Sequence, residues 1–260
     1  MILTFPERVH HLPFLGIGVS TEFGASKAEN ALDVFALRQL KPQFSAFLEV
    51  GVEVSKGLDE TALAWTKAGY QTTYHFLDVN LDDPNDFDQL WLADVSRLAH
   101  ELSPAWMCGD AGLWHFGRRE RGQMLLLPPI LTDDVARAMG EGIAALRAQT
   151  GLEVFPENPP GDIFLGDLHL LDFYARVCEY GDTGMLLDVA HLAIYQRAMG
   201  YGPLSGIQHL PLERVIEVHV AGAKEIDVDG LTMVVDDHTP KILPDTWRIF
   251  DALVPRAHNL

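Results

Sequence analysis

The chain is poor in cysteine, in basic residues and in long apolar runs. Only two of its 260 residues are cysteine, Cys108 and Cys178, and they form no CxxC pair. A zinc ribbon and a disulfide scaffold are thereby excluded, and a reducing cytoplasm is the expected location. Lysine and arginine number 19 against 37 acidic residues, for a formal net charge of -18. Such a chain lacks the basic surface that a phosphate backbone or an anionic membrane demands, so neither nucleic acid nor membrane is an expected partner. No apolar run reaches the ~20 residues of a membrane helix, and Met1 to Arg8 hold no basic stretch ahead of a long apolar core. No repeat, low-complexity tract or Pro/Ser/Gly linker divides residues 1–260, which read as a single domain.

What is present is one figure, repeated. The run Gly184-Met185-Leu186-Leu187-Asp188-Val189-Ala190-His191 is an apolar strand that ends in a carboxylate and then an imidazole. The figure recurs in Thr72 to His75, Trp106 to Asp110, Leu152 to Asn158 and Val215 to His219. Runs this apolar suit strands buried on both faces of a parallel sheet, and polar residues then arrive where such strands end. Leu15 to Ser20 and Phe47 to Val54 supply two further strands, the second with Glu49 and Glu53 at its exit. Gly16 and Gly18 do not make a dinucleotide-binding loop, because position 21, where GxGxxG needs glycine, is Thr21.

Helices are expected between the strands: about Ser26 to Leu40, Asp59 to Ala68, from Asp82 onward, Asp133 to Gln149, Asp167 to Tyr180 and Pro244 to Leu253. In the third of these, Phe87, Leu90, Trp91, Val95, Leu98 and Leu102 recur at helical spacing and predict a core stripe. Ile226 to Val235 read as a hairpin with an Asp-Gly turn that runs into Asp236-Asp237-His238. Strand alternating with helix implies a parallel sheet, and seven strands with polar ends favour an α/β, TIM (β/α)8-type barrel in which the eighth strand is wanting.

His75, Asp110, Glu157, Asp188, His219, Asp236 and His238 form a nitrogen and oxygen donor set without thiolate. Such donors suit iron, manganese or zinc better than copper(I) or an iron–sulfur cluster. A single catalytic zinc needs about three protein ligands, so seven candidates point to more than one ion with bridging carboxylates. Asp236 and His238 share a side if their segment is extended. Asn158 is a carbonyl ligand or a support for Glu157, and His191 is a further ligand or an early-turn surface residue. Arg118, Arg119 and Arg121 are a solvated loop or a grip on an anionic substrate group, and Glu49 and Glu53 are further candidates for substrate binding. His100, His169, His209 and His258 are expected to be structural or on the surface, and Cys108 to face the core.

These segments, in this order, resemble the multinuclear non-haem iron-dependent oxidative enzymes, whose members include the iron oxidase of methanobactin biosynthesis. The resemblance rests on Phe47-Leu48-Glu49-Val50, Pro156-Glu157-Asn158-Pro159, Leu186-Leu187-Asp188-Val189, Glu217-Val218-His219-Val220-Ala221-Gly222 and Val235-Asp236-Asp237-His238, and runs from Gly16 through Trp247. It implies a xylose-isomerase-like barrel and two or three irons, as Fe2+ or Fe3+, used with dioxygen to oxidise cysteine in a ribosomally made peptide, commonly presented by a partner protein. It also implies metal ligation by His75, Asp110, Glu157, Asp188, His219, Asp236 and His238, with Asn158 and His191 close by. The chain departs from the family pattern at Asp110-Ala111 and at Gly222-Ala223, where histidine is customary, with His115 or Glu225 as candidate replacements. Two other readings stand beside it. One is a sugar isomerase, epimerase or phosphoesterase using Mn2+, Zn2+ or magnesium on the same architecture. The other is a degenerate barrel that serves as a binding or scaffold protein.

Overall fold

A computed structural model describes residues 3–21, 32–119 and 125–260. Seven parallel strands, paired in sequence order, form one curled sheet: β1 Val19–Thr21, β2 Phe47–Val52, β3 Gln71–Phe76, β4 Met107–Asp110, β5 Val154–Glu157, β6 Met185–Asp188 and β7 Val215–His219. Among the described residues no eighth strand joins this sheet. The chain instead folds back as a separate antiparallel hairpin, β8 Ala223–Val228 and β9 Leu231–Asp236, as its Asp-Gly turn led one to expect.

Eight helices are described: α1 Phe5–Val9, α2 Val34–Leu40, α3 Glu60–Lys67, α4 Gln89–Leu102, α5 Asp133–Thr150, α6 Leu170–Tyr180, α7 Val189–Ala198 and α8 Pro244–Leu253. Most begin where a side chain accepts a free backbone N–H: Asp33 for α2, Asp59 for α3, Asp88 for α4, Thr132 for α5, His169 for α6 and Asp188 for α7. The helix expected to begin near Ser26 is described only from Val34, and its earlier part lies outside the described residues. Asp82 does not open a helix. Pro84–Asp86 form a single 3-10 turn and α4 starts after Asp88, so Leu90 falls on the outer face and is 82% exposed, while Trp91, Val95, Leu98 and Leu102 are buried.

Alternation along each strand divides the barrel into two environments. Outward residues such as Leu48, Val50, Val52, Tyr74, Met107, Val154 and Leu187 join the core under the helices. The bottom of the barrel is closed by a second apolar cluster, in which Phe47, Trp106, Phe155 and Leu186 meet Phe5 and Val9 of α1. Leu15 also belongs to this plug, and β1 starts only at Val19, after Gly16 turns the chain at a φ of +84°. Above the plug the interior turns polar.

Candidate metal centre

The polar interior is built by inward positions two apart on successive strands: Glu49 on β2, His75 on β3, Cys108 and Asp110 on β4, Glu157 on β5, Asp188 on β6, and Glu217 and His219 on β7. All are buried except His219, whose side chain is 20% exposed at the mouth. Gly109 makes the β4 contribution possible. Its φ is +152°, and a Cβ there would lie 2.6 Å from the Phe76 carbonyl oxygen, so only glycine fits between Cys108 and Asp110.

Three triads of donor atoms, each mutually within 4.8 Å, occupy the mouth: His75, Asp110 and Glu157; Glu157, Asp188 and His191; and His191, Asp236 and His238. Glu157 belongs to the first two and His191 to the last two, so the triads form a linked chain. Glu157 lies 2.9 Å from His75 Nε2 and 3.1 Å from His219 Nδ1. His191 Nδ1 lies 2.9 Å from the Asn158 carbonyl, which fixes the proton on Nδ1 and turns Nε2 toward Asp236, 3.1 Å away. Asp188 has two duties: Oδ1 accepts the His191 N–H as helix cap, and Oδ2 faces the His191 ring.

The hairpin brings the last donors. Asp236 ends β9, and His238 stands half-exposed with Nε2 3.2 Å from Asp236 Oδ2. The two do face one point, but not through an extended segment: His238 has a φ of +50°. Gly222 holds this loop down, since a Cβ there would lie 1.7 Å from the Thr239 carbonyl oxygen.

Six carboxylates gather here, and every ion pair found for them among the described residues is to histidine. Protons balance the charge. Burial works against the charged form of His75, but Glu49, Glu157 and Asp110 outweigh it and raise its pKa to about 9. His191 and His219 are likewise raised, against burial, by Asp188 and Glu49 respectively. Burial opposes ionisation of Glu157 as well, yet His219 and His75 hold it well below the usual carboxylate range. Asp110 goes the other way: burial and the Glu157 charge push it up. His75 Nδ1, Asp110 Oδ1 and Asp236 Oδ1 are buried without hydrogen-bond partners. Orphaned donors and converging carboxylates whose charge only protons balance are what a cluster of divalent cations would satisfy.

Several expected residues have other work. Asn158 clamps the backbone of Asp188, its amide donating to the carbonyl and accepting the N–H, so it positions Asp188 rather than joining the donors. Glu49 is not at the exit of β2 but inside the barrel, out of reach of solvent. Glu53 is the residue at the exit, paired with Lys56 and Ser55. Arg119 is engaged within the chain: it pairs with Asp86 and Asp88, donates to the Asp78 and Asp86 carbonyls and stacks on Trp91. His115 replaces no missing ligand, being held by Asp86 and the Gly117 carbonyl, and Glu225 is paired with Arg197. Arg118 is exposed on the same loop, and Arg121 lies outside the described residues. Ala111 is packed in the apolar core, and Ala223, in register with Asp236, is buried in a small apolar cluster with Ile194, Val234 and Leu243. Glu217 was not singled out by sequence, although its spacing of two from His219 on one strand is a signal for it.

Comparison with known proteins gives a concordant picture. The family described as RiPP precursor modification enzyme MbnB/TglH/ChrH matches residues 25–260. A UPF0276 protein of Rhizorhabdus wittichii is 22% identical over 242 residues, covering 86% of this chain and 84% of that protein. Among solved structures, a xylose isomerase-like TIM barrel protein from Mycobacterium smegmatis in complex with magnesium superposes with a TM-score of 0.55 at 14% identity, covering 95% of this chain and 87% of that one. A xylose isomerase domain protein from Planctomyces limnophilus gives 0.52 at 14% identity, over 93% and 86%. These two likenesses establish the xylose-isomerase-like barrel.

Proposed function

From the premise that the chain belongs to the MbnB/TglH/ChrH family of RiPP precursor modification enzymes, we propose that it is an iron-dependent oxidase of a ribosomally made peptide, acting at cysteine. The observation that carries this reading is the linkage of three donor triads through Glu157 and His191, which suits two or three adjacent ions rather than one. His75, Asp110, Glu157, Asp188, His191, His219, Asp236 and His238 would hold them. Iron bound there supplies the redox chemistry with dioxygen, and nitrogen and carboxylate donors are those that non-haem iron favours.

The chain's own residues supply position and charge. Asn158 and the α7 cap hold Asp188 and His191 at fixed angles, and the apolar plug closes the site from below. Substrate therefore enters at the mouth, between the β7 exit and the loop of His238, the most exposed donor. The acidic site expels histidine protons when cations bind.

The test is aerobic incubation of iron-loaded protein with the peptides encoded beside its gene, read by mass spectrometry. A mass change at a cysteine, lost when iron or oxygen is withheld, is the expected result. Unchanged masses for all such peptides, with and without neighbouring proteins, would refute the reading.

A further inference from the structure

We propose that the barrel holds a separate site, one layer below the mouth, for a single divalent transition-metal ion bound by Glu49, Cys108 and Glu217, with His219 Nε2 as fourth donor. One ligand atom from each of Glu49, Cys108 and Glu217 lies within 4.8 Å of the other two. Cys108 Sγ is 3.1 Å from Glu49 Oε2, and His219 Nε2 is 3.1 Å from Glu49 Oε1 and 3.9 Å from Glu217 Oε1. A tetrahedral ion with bonds of about 2.0–2.3 Å needs ligand separations of about 3.3–3.8 Å, and these distances bracket that range.

A second observation points to a ligand. Glu49 Oε1 is buried and accepts no hydrogen bond, despite its ion-pair contact with His219. Thr73, in register with Glu49 on the neighbouring strand, also has a buried hydroxyl without a partner. Glu217 is already aimed: Trp106 Nε1 donates to its Oε2 at 2.7 Å, which leaves Oε1 on the side of His219. Trp106, Phe155 and Leu186 seal the space beneath.

The donor types select the ion. A thiolate beside two carboxylates and an imidazole favours zinc, iron(II) or cobalt(II), and disfavours magnesium or calcium. His219 lies between the two layers, Nδ1 toward Glu157 and Nε2 toward Glu49, so it joins the lower site only when Nε2 has lost its proton.

The test uses cobalt(II) as probe, in full-length protein expressed in cobalt-supplemented minimal medium. Thiolate bound to cobalt(II) gives a near-ultraviolet charge-transfer band that oxygen and nitrogen donors do not give. Expected are that band in the parent protein, its loss in Cys108→Ser, its survival in Cys178→Ala, and one cobalt fewer per chain in Cys108→Ala and in Glu217→Gln. The near-ultraviolet circular dichroism of each variant checks that it is folded. A parent protein that lacks the band, whether or not it binds cobalt, would overturn the proposal, as would a band that persists in Cys108→Ser or a cobalt count unchanged in both other variants. Neither iron nor peptide enters this test, so it can fail while the oxidase reading stands, and the reverse.

Discussion

Two buried networks in this molecule are made of the same residue types and do different things. In one, His115 sits between Asp86 and the Gly117 carbonyl, and Arg119 closes over Asp86 and Trp91. In the other, His75, His191 and His219 sit among six carboxylates. The first has a permanent cation and backbone partners for its polar atoms, so it is complete as it stands. The second has only titratable cations and leaves buried donor atoms without partners. A histidine beside an aspartate is thus a structural pair where arginine supplies the charge, and a candidate ligand where nothing but protons does.

That contrast can be broken from either side. The largest effect is expected from Glu157→Gln, which removes the carboxylate shared by two triads. Metal affinity should fall by more than about 100-fold, because even outer partners of a ligand cost about 10–100-fold. Elemental analysis after dialysis checks this. Asp86→Ala should do the reverse. It leaves Arg119 and His115 without their buried partner, at about 3–5 kcal/mol in chemical denaturation, while metal content per folded chain stays the same.

Smaller effects sharpen the comparison. Bound ions must displace the proton of His75, whose pKa in the metal-free protein is about 9, so metal affinity should climb with pH up to that value. Titration calorimetry in buffers of different ionisation enthalpy should show proton release on binding. Asn158→Ala should lower metal affinity by about 10-fold through a loosened Asp188, with iron content read across a chelator series. A further effect is expected from Asp78, beside Arg119 in the structural network. Burial, opposed by the Val54 N–H and Arg119, raises its pKa to about 6 against an ordinary value of about 3.9. The folded chain therefore keeps a proton that the unfolded chain gives up, and stability falls as pH rises through that window, by up to about 3 kcal/mol. Urea midpoints of Asp78→Asn should lack this component.

The barrel was legible in the sequence because five of its strands state their burial and their polar exit in four to six residues, and five repetitions leave few alternatives. The donors at those exits were legible for the same reason. What sequence could not separate was His115 from His75, or Arg119 from a substrate clamp, since each depends on long-range partners such as Asp86 and Glu157. Glu49 and Glu217 were also hard to read, because a glutamate inside an apolar strand looks the same whether it faces a solvated mouth or a sealed layer. Leu90 fell out of the stripe because α4 starts at Gln89, after a 3-10 turn, and not at Asp82.

The most direct test of the linked donor triads is iron content together with Mössbauer spectroscopy on protein expressed in iron-supplemented medium and purified without oxygen. Two or three irons per chain, magnetically coupled, with the coupling lost in Glu157→Gln, is the predicted result. A single uncoupled iron, or none, would contradict it.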